Sequence, residues 1–193
     1  TSPYAEKVSN YLVEVYMNTR SYEAALKSIE RIAKPSAQIM EAKQKILFQL
    51  GTQSFANANF EQALQYLNQS IAIGQYNRQT KADAYYWCGE SYYRLNRMME
   101  AARDFNAYLQ LTTQPNNEMY ALANYNLGYI AFHRKDYTQA SNYFQKYIQL
   151  EKGENRTALA DAYNRIGDCH LNVRNFEEAK HYYSQAEQMN TPS

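Results

Sequence analysis

The sequence has few cysteines, no long apolar run and no excess of charge of either sign. Its two cysteines, Cys88 and Cys169, cannot build a disulfide framework, and their number fits a reducing or an oxidising compartment equally well. No apolar run is long enough for a membrane-spanning helix, which argues against membrane insertion of that kind. Twenty Lys and Arg face 19 Asp and Glu. So balanced a chain has no strong field to hold nucleic acid or an anionic membrane, and both are unfavoured as partners. The chain opens Thr1-Ser2-Pro3, without Met and without a visible signal peptide, and reads as a processed product or a cut fragment.

What is present is aromatic. Mean hydropathy is −0.73, which would suggest a poor core, but 20 tyrosines distort that average. Tyrosine scores as polar and yet buries a large ring. With 45% hydrophobic residues and dispersed charge, disorder is excluded. The 193 residues suit one ordinary domain or two small ones, and a chain of this length buries roughly 70% of its unfolded surface without metal or disulfide support.

An internal repeat organises the rest. Gly51, Gly89, Gly128 and Gly167 are 38, 39 and 39 residues apart. Twelve residues after each comes Ala63, Ala101, Ala140 or Ala179, and four beyond that Leu67, Phe105, Phe144 or Tyr183. Three residues before each alanine stands Phe60, Met98, Tyr137 or Phe176. A weaker first copy has Tyr22, Ala25 and Ile29, with Val13 at the glycine position. Two antiparallel helices need small residues where their axes approach most closely, and large ones at neighbouring turns fill the space around the gap. Glycine inside a helix costs about 1 kcal/mol relative to alanine, so its recurrence at one position points to close approach of a helix A and a helix B.

The turn residues agree. The position before each helix B holds Ser21, Asn59, Arg97, Asp136 and Asn175, four of them good N-caps. Asn59/Gln62, Asp136/Gln139 and Asn175/Glu178 have the spacing of capping boxes. Gly74 and Gly153 suit C-caps of helix B, and Pro35 and Pro115 fall in connections.

This pattern resembles the tetratricopeptide repeat family. The resemblance implies an all-α, right-handed superhelical solenoid over residues 1–193, with repeats at about 4–34, 40–74, 78–113, 117–153 and 156–190. The chain departs from the family in its period, which is usually 34. The added residues fall between helix B and the next helix A, enough for about one helical turn. The family's early Trp position holds Ser9, Leu47, Tyr85, Asn124 and Tyr163. Stretched units and the segment 82–93 are similar to bacterial cell-envelope members, which implies a periplasmic or cell-envelope location, with the cytoplasm as alternative.

Catalytic and cofactor signals are weak. All six glycines are absorbed by the repeat, so none is left for a phosphate loop. The three histidines, His133, His170 and His181, form no metal motif. Asp168-Cys169-His170 are consecutive helical residues about 100° apart and cannot converge on one ligand. His170 sits at the core-facing position of Tyr16 and Tyr92 and reads as a packed residue beside a buried cysteine. Cys88 and Cys169, two repeats apart, are expected to be free thiols. Asp161/Asp168 and Glu177/Glu178 read as solvated helix faces. Asn68-Gln-Ser and Asn155-Arg-Thr match glycosylation acceptors, and Arg134/Lys135 is too small a basic cluster for nucleic acid. No cofactor, metal or catalytic residue is assigned, and the chain is not expected to be an enzyme.

The resemblance implies a concave surface lined by helices A. With the core side fixed by the glycines, the other face reads at i, i+4 and i+7. It holds Asn10/Glu14/Met17, Phe48/Thr52/Phe55, Tyr86/Glu90/Tyr93, Tyr125/Tyr129/Phe132 and Asn164/Asp168/Leu171. Beside these lie Trp87, Asn126 and Arg165, then Arg94, His133 and Asn172. The candidate binding set is Phe48, Phe55, Tyr86, Trp87, Glu90, Tyr93, Arg94, Tyr125, Asn126, Tyr129, Phe132, His133, Arg165 and Asp168. Tyr and Trp are typical hot-spot residues, and such a groove suits a peptide or protein segment with apolar anchors; inter-helix packing is the competing role for each ring. The family's two-carboxylate clamp is not reproduced: its positions hold Asp83, Trp87, Leu122, Asn126, Asp161 and Arg165. The expected function is a non-catalytic scaffold or adaptor. The alternatives are a fragment of a longer self-assembling array, with homo-oligomerisation through helical ends, and a regulator gripping a small peptide's terminus with Arg94 and Arg165.

Overall fold

The computed structural model describes residues 12–14, 16 and 20–191. Residues 12–14 and 16 are helical. There follow α1 (Tyr22–Glu30), α2 (Ala37–Ala56), α3 (Phe60–Ala72), a 3-10 turn (Gly74–Tyr76), α4 (Arg78–Arg94) and α5 (Met98–Leu111). Then come α6 (Glu118–His133), α7 (Tyr137–Leu150), α8 (Arg156–Asn172) and α9 (Phe176–Asn190). Among the described residues there is no β-strand. The fold is all-α, built of helix–turn–helix repeats in which α2/α3, α4/α5, α6/α7 and α8/α9 are the hairpins. The chain divides into two compact units, Thr1–Thr113 and Gln114–Ser193.

The small residues act as the periodicity predicts. A Cβ on Gly51 would lie 2.6 Å from Leu67 Cγ, one on Gly89 2.7 Å from Phe105 Cδ1, one on Gly128 2.9 Å from Phe144 Cε1, and one on Gly167 2.6 Å from Tyr183 Cε1. Each helix A glycine therefore lies directly under the large residue of its helix B. The opposing Ala63, Ala101 and Ala140 are wholly buried, and Ala179 nearly so.

Every hairpin turns in the same way. The backbone N–H groups of Ser21, Asn59, Arg97, Asp136 and Asn175 donate to the carbonyls of Tyr16, Ser54, Tyr92, Ala131 and His170, five residues back. This is the long bond of a Schellman motif. The residue before each donor is left-handed although none is glycine: Arg20, Ala58, Asn96, Lys135 and Arg174 have φ of 59–64°. The donor residue then opens helix B. Asn59 and Asp136 also cap with their side chains, accepting from Gln62 N and Gln139 N, whereas Ser21, Arg97 and Asn175 make no such bond. The capping box expected at Asn175/Glu178 is therefore not formed. Side-chain caps are more regular on helices A, from Ser36, Asn77, Asn117 and Asn155.

The extra residues of the long period do not form a helical turn at each connection. Only the one after α3 is helical, as the 3-10 turn from Gly74. Gly74 is buried there and does not have positive φ; Gly153, at φ 82°, does.

One hairpin is packed differently. Gln44 of α2 is fully buried where the later repeats have Ala82, Ala121 and Ala160. Its Nε2 donates to the Asn77 carbonyl at 2.8 Å, and its own backbone carbonyl accepts from Ser70 Oγ at 2.8 Å. Ser70 stands where the next two repeats bury Tyr108 and Tyr147. Gln with Ser thus fills the space that Ala with Tyr fills in the next two repeats.

Candidate functional site

In the unit of residues 1–113, the helix A positions of α2 and α4 bring several predicted rings together. Phe55 of α2 meets Trp87 of α4 edge-on, with centroids 5.0 Å apart, and Phe60 at 5.2 Å. Arg94 lies over the Phe55 ring at 5.6 Å. Phe48, Phe55, Trp87, Glu90 and Tyr93 are half-buried, and Arg94 is exposed.

Tyr86 behaves differently. It is 3% exposed, and its ring sits among Trp87, Phe105 and Tyr108 at 5.2–5.7 Å. Its hydroxyl donates to Glu90 Oε1 at 2.9 Å. Truncating Tyr86 would open the core, so of the two roles expected for this ring it takes the packing one. Burial, with the Glu90 charge beside it, pushes the Tyr93 phenol up.

In the unit of residues 114–193, α6 and α8 build a polar network that the sequence did not reveal. The hydroxyls of Tyr125 and Tyr129, one turn apart on α6, both donate to Asp161 Oδ2 on α8. Arg165 lies one turn further along α8, between two carboxylates. Its Nε is 3.8 Å from Asp161 Oδ1 and its Nη1 is 3.2 Å from Asp168 Oδ2. Asp168 Oδ1 accepts from Tyr183 of α9 at 2.5 Å. Burial, reinforced by hydrogen bonding to the carboxylates, pushes the Tyr129 and Tyr183 phenols up to about 12, and Tyr125 higher still. All three remain donors at neutral pH. Asp161 and Asp168 are therefore not simply solvated carboxylates: each anchors tyrosine hydroxyls and shares the Arg165 charge.

The rings are held edge to face. Tyr125 lies 5.3 Å from Tyr129, and both pack on Phe144. Tyr125, Asn126, Tyr129, Phe132 and Arg165 stay half-buried, and His133 is exposed beside Tyr129 and Phe132. Glu14 and Leu171 are exposed. Asn10, Met17 and Ser9 lie outside the described residues.

Cys88 and Cys169 are free and buried, as expected. Burial pushes the Cys169 thiol up to about 11 and the Cys88 thiol further, which suppresses the thiolate form needed for nucleophilic chemistry. His170 is half-buried and stacked on Tyr182, with ring centroids 5.4 Å apart. Among the described residues no group of three or more His, Cys, Asp or Glu is placed to hold a metal ion, and no helix is long and apolar enough to cross a membrane.

A further anomaly lies in α5. Asp104 is 2% exposed at the repeat position of Tyr66, Tyr143 and Tyr182. Its Oδ1 accepts from Arg103 Nε at 3.0 Å, while Oδ2 is buried without a partner. Burial raises this carboxyl above its usual range, against the opposing pull of Arg103.

Known proteins give a consistent picture. Two profiles of the family described as Tetratricopeptide repeat match residues 48–118 and 118–191. Among solved structures, the chain is similar to BtubC from P. vanneervenii, at 14% identity, over 96% of this chain and 82% of that one, with a TM-score of 0.68. It is similar to MamA from Desulfovibrio magneticus RS-1, at 14% identity, over 96% and 94%, with a TM-score of 0.61. It is also similar to YrrB, described as a TPR protein with an unusual peptide-binding site, at 15% identity, over 92% and 82%, with a TM-score of 0.64. These likenesses are likenesses of fold. No curated protein matches the chain by sequence.

Proposed function

Since this chain belongs to the tetratricopeptide repeat family, a family of protein-interaction scaffolds, we propose that it is a non-catalytic adaptor whose helix A faces receive a peptide or protein segment. In the first unit the receiving residues are Phe48, Phe55, Trp87, Glu90, Tyr93 and Arg94, with Tyr86 as the buried support beneath them. In the second they are Tyr125, Asn126, Tyr129, Phe132, His133, Arg165 and Asp168.

The observation that carries this reading is the tethering of half-exposed rings. Tyr125 and Tyr129 keep an open flank while their hydroxyls are fixed on Asp161. A surface ordered in advance loses little conformational freedom on binding, so more of the contact energy remains as affinity. The alternative grip on a peptide terminus is less well supported, because Arg165 is shared by Asp161 and Asp168 and Arg94 lies over Phe55. Placement at a bacterial cell envelope rests on the likeness of segment 82–93 and is checked by fractionating the native host.

The test is selection from a random peptide display library on the full chain. Peptides that dock on the first unit should change the emission of Trp87, the only tryptophan. The affinity of enriched peptides should fall at least about tenfold in Trp87→Ala or Phe132→Ala, as for an interface hot spot. Failure to enrich any sequence, or equal binding by both variants, rejects the reading.

A further inference from the structure

The α6–α8 face carries more negative charge than it neutralises. Asp161, Arg165 and Asp168 stand at i, i+4 and i+7 on α8, so two carboxylates share a single guanidinium. Their side chains remain 27–32% exposed. Tyr125, Tyr129 and Tyr183 donate hydrogen bonds to the two acids but add no charge.

The polar atoms left over suit a guest that donates. The hydroxyl hydrogens of Tyr125 and Tyr129 are committed to Asp161 Oδ2, which leaves their oxygens as acceptors. Asp161 Oδ1 has Arg165 Nε at 3.8 Å, too far for a hydrogen bond. That Nε is buried and unpartnered, so it cannot reach outward, and Nη1 is spent on Asp168 Oδ2. An acidic guest would face two carboxylates against one guanidinium. A cationic guest would meet an unfilled carboxylate oxygen beside two half-exposed tyrosine rings, and the face of such a ring attracts a cation.

The first unit has a counterpart. Asp83 and Glu90 of α4 occupy the repeat positions of Asp161 and Asp168, where α6 has Leu122 and Tyr129. Asp83 accepts from the neutral Gln79 at 2.8 Å and makes no ion pair among the described residues. Burial raises its carboxyl above the usual range, against that hydrogen bond. Between the two acids, at the position of Arg165, stands the half-buried ring of Trp87. Arg94 over Phe55 already sets a guanidinium on a ring of this unit.

We propose that the segment received on these faces is basic, and that on the second unit one of its lysines or arginines sets its charge on Asp161 Oδ1 beside the open flanks of Tyr125 and Tyr129. This inference rests on the peptide-binding reading and adds the chemistry of the partner to it.

Peptides selected from the random display library on the full chain test it. Those whose binding falls in Phe132→Ala dock on the second unit. They should be richer in Lys and Arg, and poorer in Asp and Glu, than the unselected library. In synthetic versions followed by titration calorimetry, each Lys or Arg is exchanged in turn for Glu. At one position the exchange should weaken binding at least about tenfold. Raising salt from about 0.05 to about 0.5 M should weaken the parent peptide more than that exchanged one. Asp161→Asn keeps an acceptor for the tyrosine hydroxyls and removes the charge. It should weaken the parent peptide about tenfold and spare the exchanged one, a selectivity that mere loosening of the rings would not give. Asp168→Asn, which leaves Arg165 to neutralise Asp161, should act in the same direction. If the library yields no binder, the peptide-binding reading fails and this inference with it. If binders emerge without a basic bias, or Asp161→Asn weakens parent and exchanged peptides alike, this inference alone is overturned.

Discussion

Replacing Gly89 by alanine sets two physical effects of opposite sign against each other. In an unconstrained helix the change is favourable by roughly 1 kcal/mol. Here the new Cβ would stand 2.7–2.9 Å from three carbons of the Phe105 ring. That ring is wholly buried and packed on Tyr86 at 5.7 Å, so it has no free space into which to withdraw. Overpacking of this kind costs about 1–3 kcal/mol and sometimes more. With the clash spread over three atoms of a rigid group, the upper part of that range applies, and the net loss is about 1–2 kcal/mol. Urea unfolding followed by far-ultraviolet circular dichroism should show a lower midpoint with an unchanged slope. In a chain of this size the melting temperature should fall by about 3–6 °C. Phe105→Leu, destabilising alone, should cost less in the Gly89→Ala background, and a double-mutant cycle measures that coupling. A Gly89→Ala protein as stable as the parent would refute the idea that close helix approach explains the repeated glycine.

Other outcomes follow from particular residues. Lys135→Gly relieves a left-handed residue at φ 64° and should stabilise by about 0.5–1 kcal/mol; Asn96→Gly should gain less, because asparagine tolerates that conformation, and matched chemical denaturation compares them. Asp104→Asn should stabilise by about 1 kcal/mol at neutral pH by removing a buried charge with an unpartnered oxygen. Because the folded protein holds the Asp104 proton to higher pH than the unfolded chain, parent stability falls as pH rises from about 4; its gap to the variant should close below that, as thermal melts across the acid range would show. The phenols of Tyr129, Tyr147 and Tyr183 are raised to about 12. The folded state therefore retains protons that the unfolded chain loses, and stability should drop between pH 10 and 12, visible as unfolding that accompanies phenolate absorbance.

The fold was legible because one geometric need, close helix approach, recurs at a fixed interval and selects Gly, Ala and large apolar residues each time. The site was less so. Tyr86 and Tyr125 occupy the same repeat position, yet one is sealed by Trp87, Phe105 and Tyr108 and the other holds Asp161. That difference lies in neighbours from other helices, which a single helix pattern does not contain. The bonds from Tyr125 and Tyr129 to Asp161 span 36 and 32 residues. The carboxylate read as solvated because its partners lie nearly a full repeat away. Asp104 and Gln44 did leave a signal, each the one polar residue in a column that the other glycine-centred repeats fill with tyrosine or alanine.

The pairing of Gln44 with Ser70 bears on how such an array can be rearranged. A chimera that transplanted α2 alone would set a long carboxamide against a tyrosine, and one that transplanted α3 alone would leave a serine facing an alanine across a hole. The fit is carried by this hairpin together with the Asn77 carbonyl that follows it, so recombination that moves α2 and α3 should succeed when they travel with that connection and fail when the cut falls at the turn between them.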